Sequence, residues 1–243
     1  MKPFLFLGTR AEDDVADDEY ASVLRCADLA EHDVRRVRLE RDELPPVELD
    51  DWSGIVLGGG PFNVSDPEAA KSPAQRRAEA ELRGLALRVV AADFPFFGAC
   101  YGIGTLGSLD GGLVDRTYGE PIGATTVRLT DEGRADPLFA DVSAEFSAFL
   151  GHKEAVTRLP AGAVLLASSE DCPVQAFRIG RCVYATQFHP ELDVPGLVRR
   201  IEAYRDHGYF DPTELEVVLA RARAGVVIEP PLLLARFAEL FAR

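Results

Sequence analysis

Over the first half of the chain, short apolar runs alternate with stretches of helical spacing. "FLFLG" (Phe4–Gly8) is an apolar run of strand length that ends in glycine. An acidic stretch follows. Then "YASVLRCADLA" sets Tyr20, Val23, Leu24 and Leu29 at the spacing of a helix face. "DVRRVRL" alternates as a half-buried strand does, and "GIVLGGG" (Gly54–Gly60) reads as a buried strand running into a glycine turn. Ser72, Pro73 and Gln75 give the next helix its start signal: an N-cap, a proline at the first position and the glutamine of a capping box. Ala78, Leu82, Leu85 and Val89 fall on one face of that helix, and "FPFFGAC" is the next buried strand. Apolar strands separated by amphipathic helices predict an α/β fold, with a mostly parallel central sheet and helices on both faces.

The pattern changes between Ile122 and Tyr184. "ATTVRL", "AEFSAFL", "AVLLASS", "VQAFRI" and "CVYATQF" are strand-like runs without intervening helices, so they predict an antiparallel extension of the sheet. After Pro195 the spacing is helical, first to about His207. "DPTELEVVLARARAG" is a second helix capped by Asp211 or Thr213, and "PPLLLARFAELFAR" a third with prolines at its start. No repeat, low-complexity segment or clear linker interrupts the chain. The simplest division is one domain over residues 1–205 and a helical extension over 206–243 packed on it.

Composition narrows the partners. The 243 residues are 47% apolar, enough for a sizeable core, and the net charge is −14. That charge repels phosphates, which argues against nucleic acid and anionic membrane and suits a dispersed, soluble protein. No apolar stretch approaches the ~20 residues of a membrane span. "MKPFLFLGTR" turns polar too soon for a signal peptide. Cys26, Cys100, Cys172 and Cys182 show no C-x-x-C pairing and are too few for a disulfide framework. The expectation is a cytoplasmic protein with free thiols and no metal or cofactor.

One of those thiols has an unusual setting. In "FFGACYGIG" an apolar run stops at Cys100, with Gly98 and Gly102 two residues to either side. A strand that enters a tight turn and leaves as a helix exposes its turn residue above the carboxyl edge of the sheet, the arrangement of a nucleophile elbow. Glycines at both flanks let the backbone bend without a Cβ clash. The helix N-terminus favours negative charge on the sulfur and offers the Tyr101 N–H to an oxyanion. The alternative is a buried cysteine that ends a core strand. Cys26, Cys172 and Cys182 lack this setting and read as packing residues.

A thiolate nucleophile needs a base, and the base an orienting group. "TQFHPELD" (Thr186–Asp193) follows an apolar strand, and Pro190 biases His189 toward extended backbone. Residues two apart in extended chain share a side, so Glu191 can hold the His189 ring; Asp193 is the weaker candidate. "LGGGPFNV" (Leu57–Val64) follows another buried strand. The N–H of Gly59 or Gly60 there could complete an oxyanion hole with Tyr101.

"GGGP", "GACYG" and "QFHPE", in this order, resemble the class I glutamine amidotransferases, with the glutaminase domain of GMP synthase as the nearest likeness. The resemblance covers roughly residues 40–200. It implies a flavodoxin-like α/β glutaminase fold and hydrolysis of glutamine to glutamate and ammonia through a γ-glutamyl thioester. Cys100 would be the nucleophile, His189 the base and Glu191 its partner. "GHKE" falls where the family often has a Ser-His pair near the substrate, which would put Gly151 and His152 at the site rim, although a surface position for His152 is equally open.

Two departures shape the expectation. The family commonly has glutamine four residues after the cysteine, where this chain has Gly104, so a polar contact is replaced by space that a γ-glutamyl compound other than glutamine could fill. The S-G-G-x-D-S loop of an ATP-pyrophosphatase domain is absent from this sequence, so the chain reads as standalone. It either hydrolyses a γ-glutamyl bond by itself or passes ammonia to a separate synthetase subunit. The competing reading is a weak or inactive glutaminase-like subunit that binds or regulates a synthetase.

Overall fold

The computed structural model describes residues 2–243, and its first strand, β1 (Phe4–Gly8), shows why the opening run is apolar throughout. Both of its faces are covered. Leu5 and Leu7 point into one hydrophobic cluster, Phe4 and Phe6 into another. The chain continues through α1 (Asp13–Ala27), β2 (Val34–Arg38), β3 (Ile55–Leu57), α2 (Pro73–Ala92), β4 (Phe96–Ala99) and α3 (Tyr101–Gly107). Next come β5 (Leu113–Asp115), β6 (Glu120–Leu129), α4 (Asp131–Ala135), β7 (Glu145–His152) and β8 (Ala155–Arg158). β9 (Ala163–Ser168), β10 (Ala176–Ile179) and β11 (Val183–Thr186) complete the strands. The chain closes with α5 (Val194–Ala203), α6 (Leu215–Ala224) and α7 (Pro231–Phe241).

Nine strands form one sheet in the order β2-β1-β3-β4-β11-β10-β9-β6-β7. The strands from β2 to β11 in this order run parallel. From β11 outward, β10, β9, β6 and β7 pair antiparallel, which is the expected extension. β5 and β8 make a separate antiparallel pair. The α/β reading holds.

The strand alternation sorts the helices. Leu5, Leu7, Ile55, Leu57 and Phe96 face α2 and α3, where Ala78, Leu82, Leu85 and Val89 are buried as their spacing predicts. Phe4, Phe6, Val56 and Phe97 face α1 and α7. Phe237 of α7 stacks edge-on to Phe97, with centroids 5.6 Å apart, and lies 6.1 Å from Phe4. A third cluster joins α5 and α6 to Phe149 of β7.

Local signals explain where the helices differ from the sequence reading. α1 begins inside the acidic stretch, because Asp13 and Asp14 in its first turn complement the helix dipole. It stops at Ala27, where Asp28 adopts φ 52°, so Leu29 lies beyond the helix. Only half of the capping box at α2 forms. Ser72 accepts the Gln75 N–H at 3.0 Å, but the Gln75 amide donates to Asn63 and Glu79 instead of returning to Ser72. α5 ends at Ala203, short of His207, with Asp193 as its cap. Asp211 caps a 3-10 turn ahead of α6.

Phe237 is fully buried between two sheet aromatics. Phe237→Ala should therefore destabilise the chain by ~3–5 kcal/mol, the usual cost of deleting a core aromatic, as read by urea unfolding.

Candidate active site

The parallel register brings four strand ends together. Leu57 pairs with Gly98, and Ala99 with Thr186, so β3, β4 and β11 finish side by side, with β1 next to β3. The residues that follow are Thr9 and Arg10, Gly58 to Gly60, Cys100, and Gln187 to His189. Side chains beyond the carboxyl ends of adjacent parallel strands line a crevice, the usual ligand position in such sheets.

Cys100 sits at φ 52°, ψ −92°, a conformation that costs a non-glycine residue energy. The backbone is held there by the Cys100 N–H, which donates to Thr186 O at 2.8 Å. A Cβ on Gly98 would stand 2.9–3.0 Å from the Gly102 backbone, and one on Gly102 3.2 Å from Leu57 O. The two flanking glycines thus let the turn close on itself. Burial pushes the Cys26 thiol up to about 11 and Cys172 up to about 12, and raises Cys182 as well.

His189 and Glu191 meet, but not by strand alternation. They lie in a turn in which the Leu192 N–H returns to His189 O. His189 Nδ1 is 2.8 Å from Glu191 Oε1, which leaves Nε2 for the Cys100 sulfur. Asp193 takes no part; it caps α5 and pairs with Arg25. Burial works against a charged ring, but Glu191 and Cys100 more than offset it, and the His189 pKa is raised to about 9. Burial opposes the Glu191 charge too; His189 and Arg200 outweigh it and hold the carboxyl far below the ordinary range.

Arg200 and three further buried residues, Glu19, Arg10 and Tyr204, join this group, none of them anticipated. Arg200 donates to Glu191 Oε1 at 2.9 Å and lies 3.6 Å from Glu19 Oε1. Arg10 donates to the same Glu19 oxygen at 2.9 Å and to the Tyr204 hydroxyl at 3.2 Å. A sequence signal existed. Glu19 falls on the buried stripe of α1 with Val15, Ala16 and Val23, and Arg200 on that of α5 with Leu197 and Ile201. A charge on an apolar stripe is buried only with a partner. Glu19, His189 and Glu191 bring ligand-type atoms within 4.8 Å of one another, as do Glu120, His152 and Cys172. The first group is engaged by Arg10 and Arg200, and in the second Glu120 is taken up by His152, Gln175 and Ser169.

The glycine run has a separate reason at each position. A Cβ would meet Glu19 Oε2 at 2.8 Å from Gly58, His189 Cε1 at 2.4 Å from Gly59, and Thr9 Oγ1 at 2.0 Å from Gly60. The two candidate oxyanion donors now separate. The Gly59 N–H donates to Glu19 Oε1 at 3.2 Å, so it is not free, which corrects the expectation for that residue. The N–H groups of Gly60 and Tyr101 meet no acceptor among the described residues.

Cys100 opens on two cavities, with Gly60, Gly151 and Tyr209 shared between them. One has an apolar wall of Ile122, Leu150, Leu192, Leu197 and Ile201, facing Arg10, His189 and Arg200. The other is polar, with Asn63, Lys153, Glu154 and Gln187 in its wall. Gly151 must lack a Cβ, which would stand 2.6 Å from Ile122. His152 also lines the second cavity and is not a surface residue. It is buried, with Nδ1 donating to Glu154 O at 2.9 Å and Nε2 2.8 Å from Glu120 Oε2. Gly104 does not open space. A Cβ there would meet Glu154 Oε1 at 3.1 Å and Val64 Cγ2 at 3.3 Å. The Glu154 carboxylate fills the position, accepting the Val64 and Ser65 N–H groups at 2.8 and 2.7 Å.

The Glutamine amidotransferase class-I family model matches residues 15–195. The chain belongs to this family. Among relatives of this amidotransferase chain is the GMP synthase [glutamine-hydrolyzing] of Porphyromonas gingivalis, 34% identical over 148 residues, a match that covers 60% of this chain and 26% of that protein. The match to such relatives therefore spans about a quarter of their length. The crystal structure of SMU.1228c superposes with a TM-score of 0.77 at 23% identity, covering 99% of this chain and all of that one (100%). A glutamine amidotransferase from Thermotoga maritima gives 0.73 at 21% identity, covering 98% of this chain and 97% of its own. These two likenesses bear on the fold.

With Gly104 packed against Glu154, Gly104→Gln should overpack the site. The expected loss is ~1–3 kcal/mol in urea unfolding, with no gain in any activity on glutamine.

Proposed function

We propose that this chain is a cysteine amidohydrolase that releases ammonia from the side-chain amide of glutamine or a related γ-glutamyl compound. The observation that carries the reading is the strained Cys100 backbone, which puts the sulfur in one cavity with a histidine whose Nδ1 is bound by a buried carboxylate. Backbone strain of this kind is kept where function needs it.

The chemistry follows from the proton positions. The raised His189 pKa favours the imidazolium beside a thiolate. The sulfur attacks the amide carbon, and the carbonyl oxygen takes the negative charge between the Gly60 and Tyr101 N–H groups. His189 gives its Nε2 proton to the leaving nitrogen, the C–N bond breaks, and ammonia departs from a thioester. Neutral His189 then takes a proton from water, the hydroxide attacks the thioester carbon, and the thiolate leaves. The product is glutamate. Glu191 holds the ring in register, and Arg200 fixes Glu191.

The second cavity suits the amino-acid end of the substrate, since Asn63, Lys153 and Gln187 in its wall offer it polar contacts. The apolar wall on the other side of Cys100 favours a second reading, in which the leaving group is an amine larger than ammonia. A panel of γ-glutamyl amides, scored for glutamate release, separates the two. A separate synthetase subunit as ammonia acceptor is an extension of this reading. Four free thiols fit a reducing cytoplasm, and no helix among the described residues is long and apolar enough to cross a membrane.

Cys100→Ala should abolish hydrolysis with the fold intact. A glutamine-like alkylating analogue should label Cys100 and spare Cys26, Cys172 and Cys182, as mapped by mass spectrometry; full activity in Cys100→Ala would sink the proposal. The pH profile gives a second test. The proton-donating form of His189 is present below its pKa of about 9 and lost above it, so kcat/KM should fall on the alkaline side near that value. Glu191→Gln removes the carboxylate that raises the pKa. It should slow turnover and move the alkaline fall to lower pH, whereas an unmoved limb would remove Glu191 from its role.

A further inference from the structure

We infer that Thr9 is a positioning residue for the oxyanion: its hydroxyl fixes the Gly59–Gly60 peptide in the orientation that turns the Gly60 N–H toward Cys100. This rests on the reaction proposed above. Thr9 is fully buried at the end of β1, outside every motif singled out in the sequence. Its Oγ1 donates to Gly59 O at 3.1 Å. The described residues contain no cis peptide bond, and in a planar trans peptide the C=O and the following N–H point in opposite directions. A Gly59 carbonyl held against Thr9 therefore sends the Gly60 N–H the other way. Gly60 lines both cavities on which Cys100 opens, and its N–H meets no acceptor among the described residues.

The need for such a clamp follows from the glycines. A Gly-Gly peptide has almost no intrinsic preference that would stop it rotating about its flanking bonds. A rotated peptide would present the Gly59 carbonyl oxygen to the reacting centre, where it would repel the developing oxyanion. Two contacts prevent this. Glu19 binds the N–H before Gly59, and Thr9 binds the C=O after it. Thr9 also occupies the space of a Gly60 Cβ, which would stand 2.0 Å from Oγ1, so glycine at 60 and threonine at 9 fit each other. The clamp lies wholly within this chain, so the amide is set without help from a partner protein.

The test compares wild type, Thr9→Val and Thr9→Ser. Valine keeps the shape and removes the donor; serine keeps the donor. Losing a whole oxyanion donor costs roughly 100- to 1,000-fold in kcat, so loosening one should lower kcat by at least roughly 10-fold. KM should change little, because the contact is made in the transition state. Thr9→Ser should recover most of the loss. Alkylation of Cys100 by iodoacetamide forms no oxyanion, so its rate in Thr9→Val should match wild type. An active wild type with undiminished kcat in Thr9→Val overturns the inference and leaves the proposed reaction standing. Equal losses of turnover and alkylation in Thr9→Val overturn it too, because they mark a merely structural role. A wild type active only with a partner protein overturns the self-contained clamp. A wild type inactive on every γ-glutamyl amide under all conditions sinks the reaction and the inference together.

Discussion

A Cβ at Gly59 would stand 2.4 Å from the His189 ring, one at Gly58 2.8 Å from Glu19, and one at Gly60 2.0 Å from Thr9. The geometry of the carboxyl edge hangs on this triple absence. Because β3 lies between β1 and β4, the ends of its neighbours converge on its exit loop. Without side chains there, β1 can push Thr9 and Arg10 inward, α1 can reach in with Glu19, and β11 can deliver His189 from the far side of Cys100. The same constraint acts at the elbow, where Gly98 and Gly102 touch backbone to backbone. The site is built by bringing main chain unusually close to main chain, and glycine alone allows that.

That closeness sets the electrostatics. Glu19, Glu191, Arg10 and Arg200 are all at most 6% exposed, so each charge has exchanged water for its neighbours. Glu19 answers both arginines, and Arg200 ties Glu19 to Glu191. The pull of Glu191 on the ring is one reason that His189 keeps its proton despite burial. Arg200 Nη1 also lies 3.1 Å from His189 Nδ1, where it opposes that proton. Removing Arg200 would thus change both the carboxylate and the ring it holds. Position and charge are not separable in this network.

Much of this was legible in the chain. The parallel strands announce themselves as apolar runs, and the elbow by a cysteine between two glycines. Asp193 and Glu191 were both open from spacing, and a tertiary contact chose between them. The misreadings have a common cause. Gly104 looks like a vacancy in one dimension, yet Glu154 arrives from fifty residues away to fill it. The half-formed capping box fails because Gln75 finds Asn63, and Gly59 loses its amide to Glu19 on another helix. Each of these is a polar group redirected by a partner distant in sequence. Local propensity cannot see that, whereas the charges on the buried stripes of α1 and α5 are visible in the sequence.

The buried quartet of Arg10, Glu19, Glu191 and Arg200 also constrains how such a chain can change over generations. Losing Glu19 leaves the Arg10 charge away from water without a carboxylate, at a cost of about 3–5 kcal/mol, a large share of the stability of a typical domain. Losing Arg10 and Glu19 together strands nothing, because Arg200 still holds Glu191. Drift at these positions therefore crosses a valley one residue wide. A lineage altering one member must change its counterpart nearly at once, or first accumulate stability elsewhere. Residues as far apart in the chain as positions 10 and 200 are in this sense a single heritable unit.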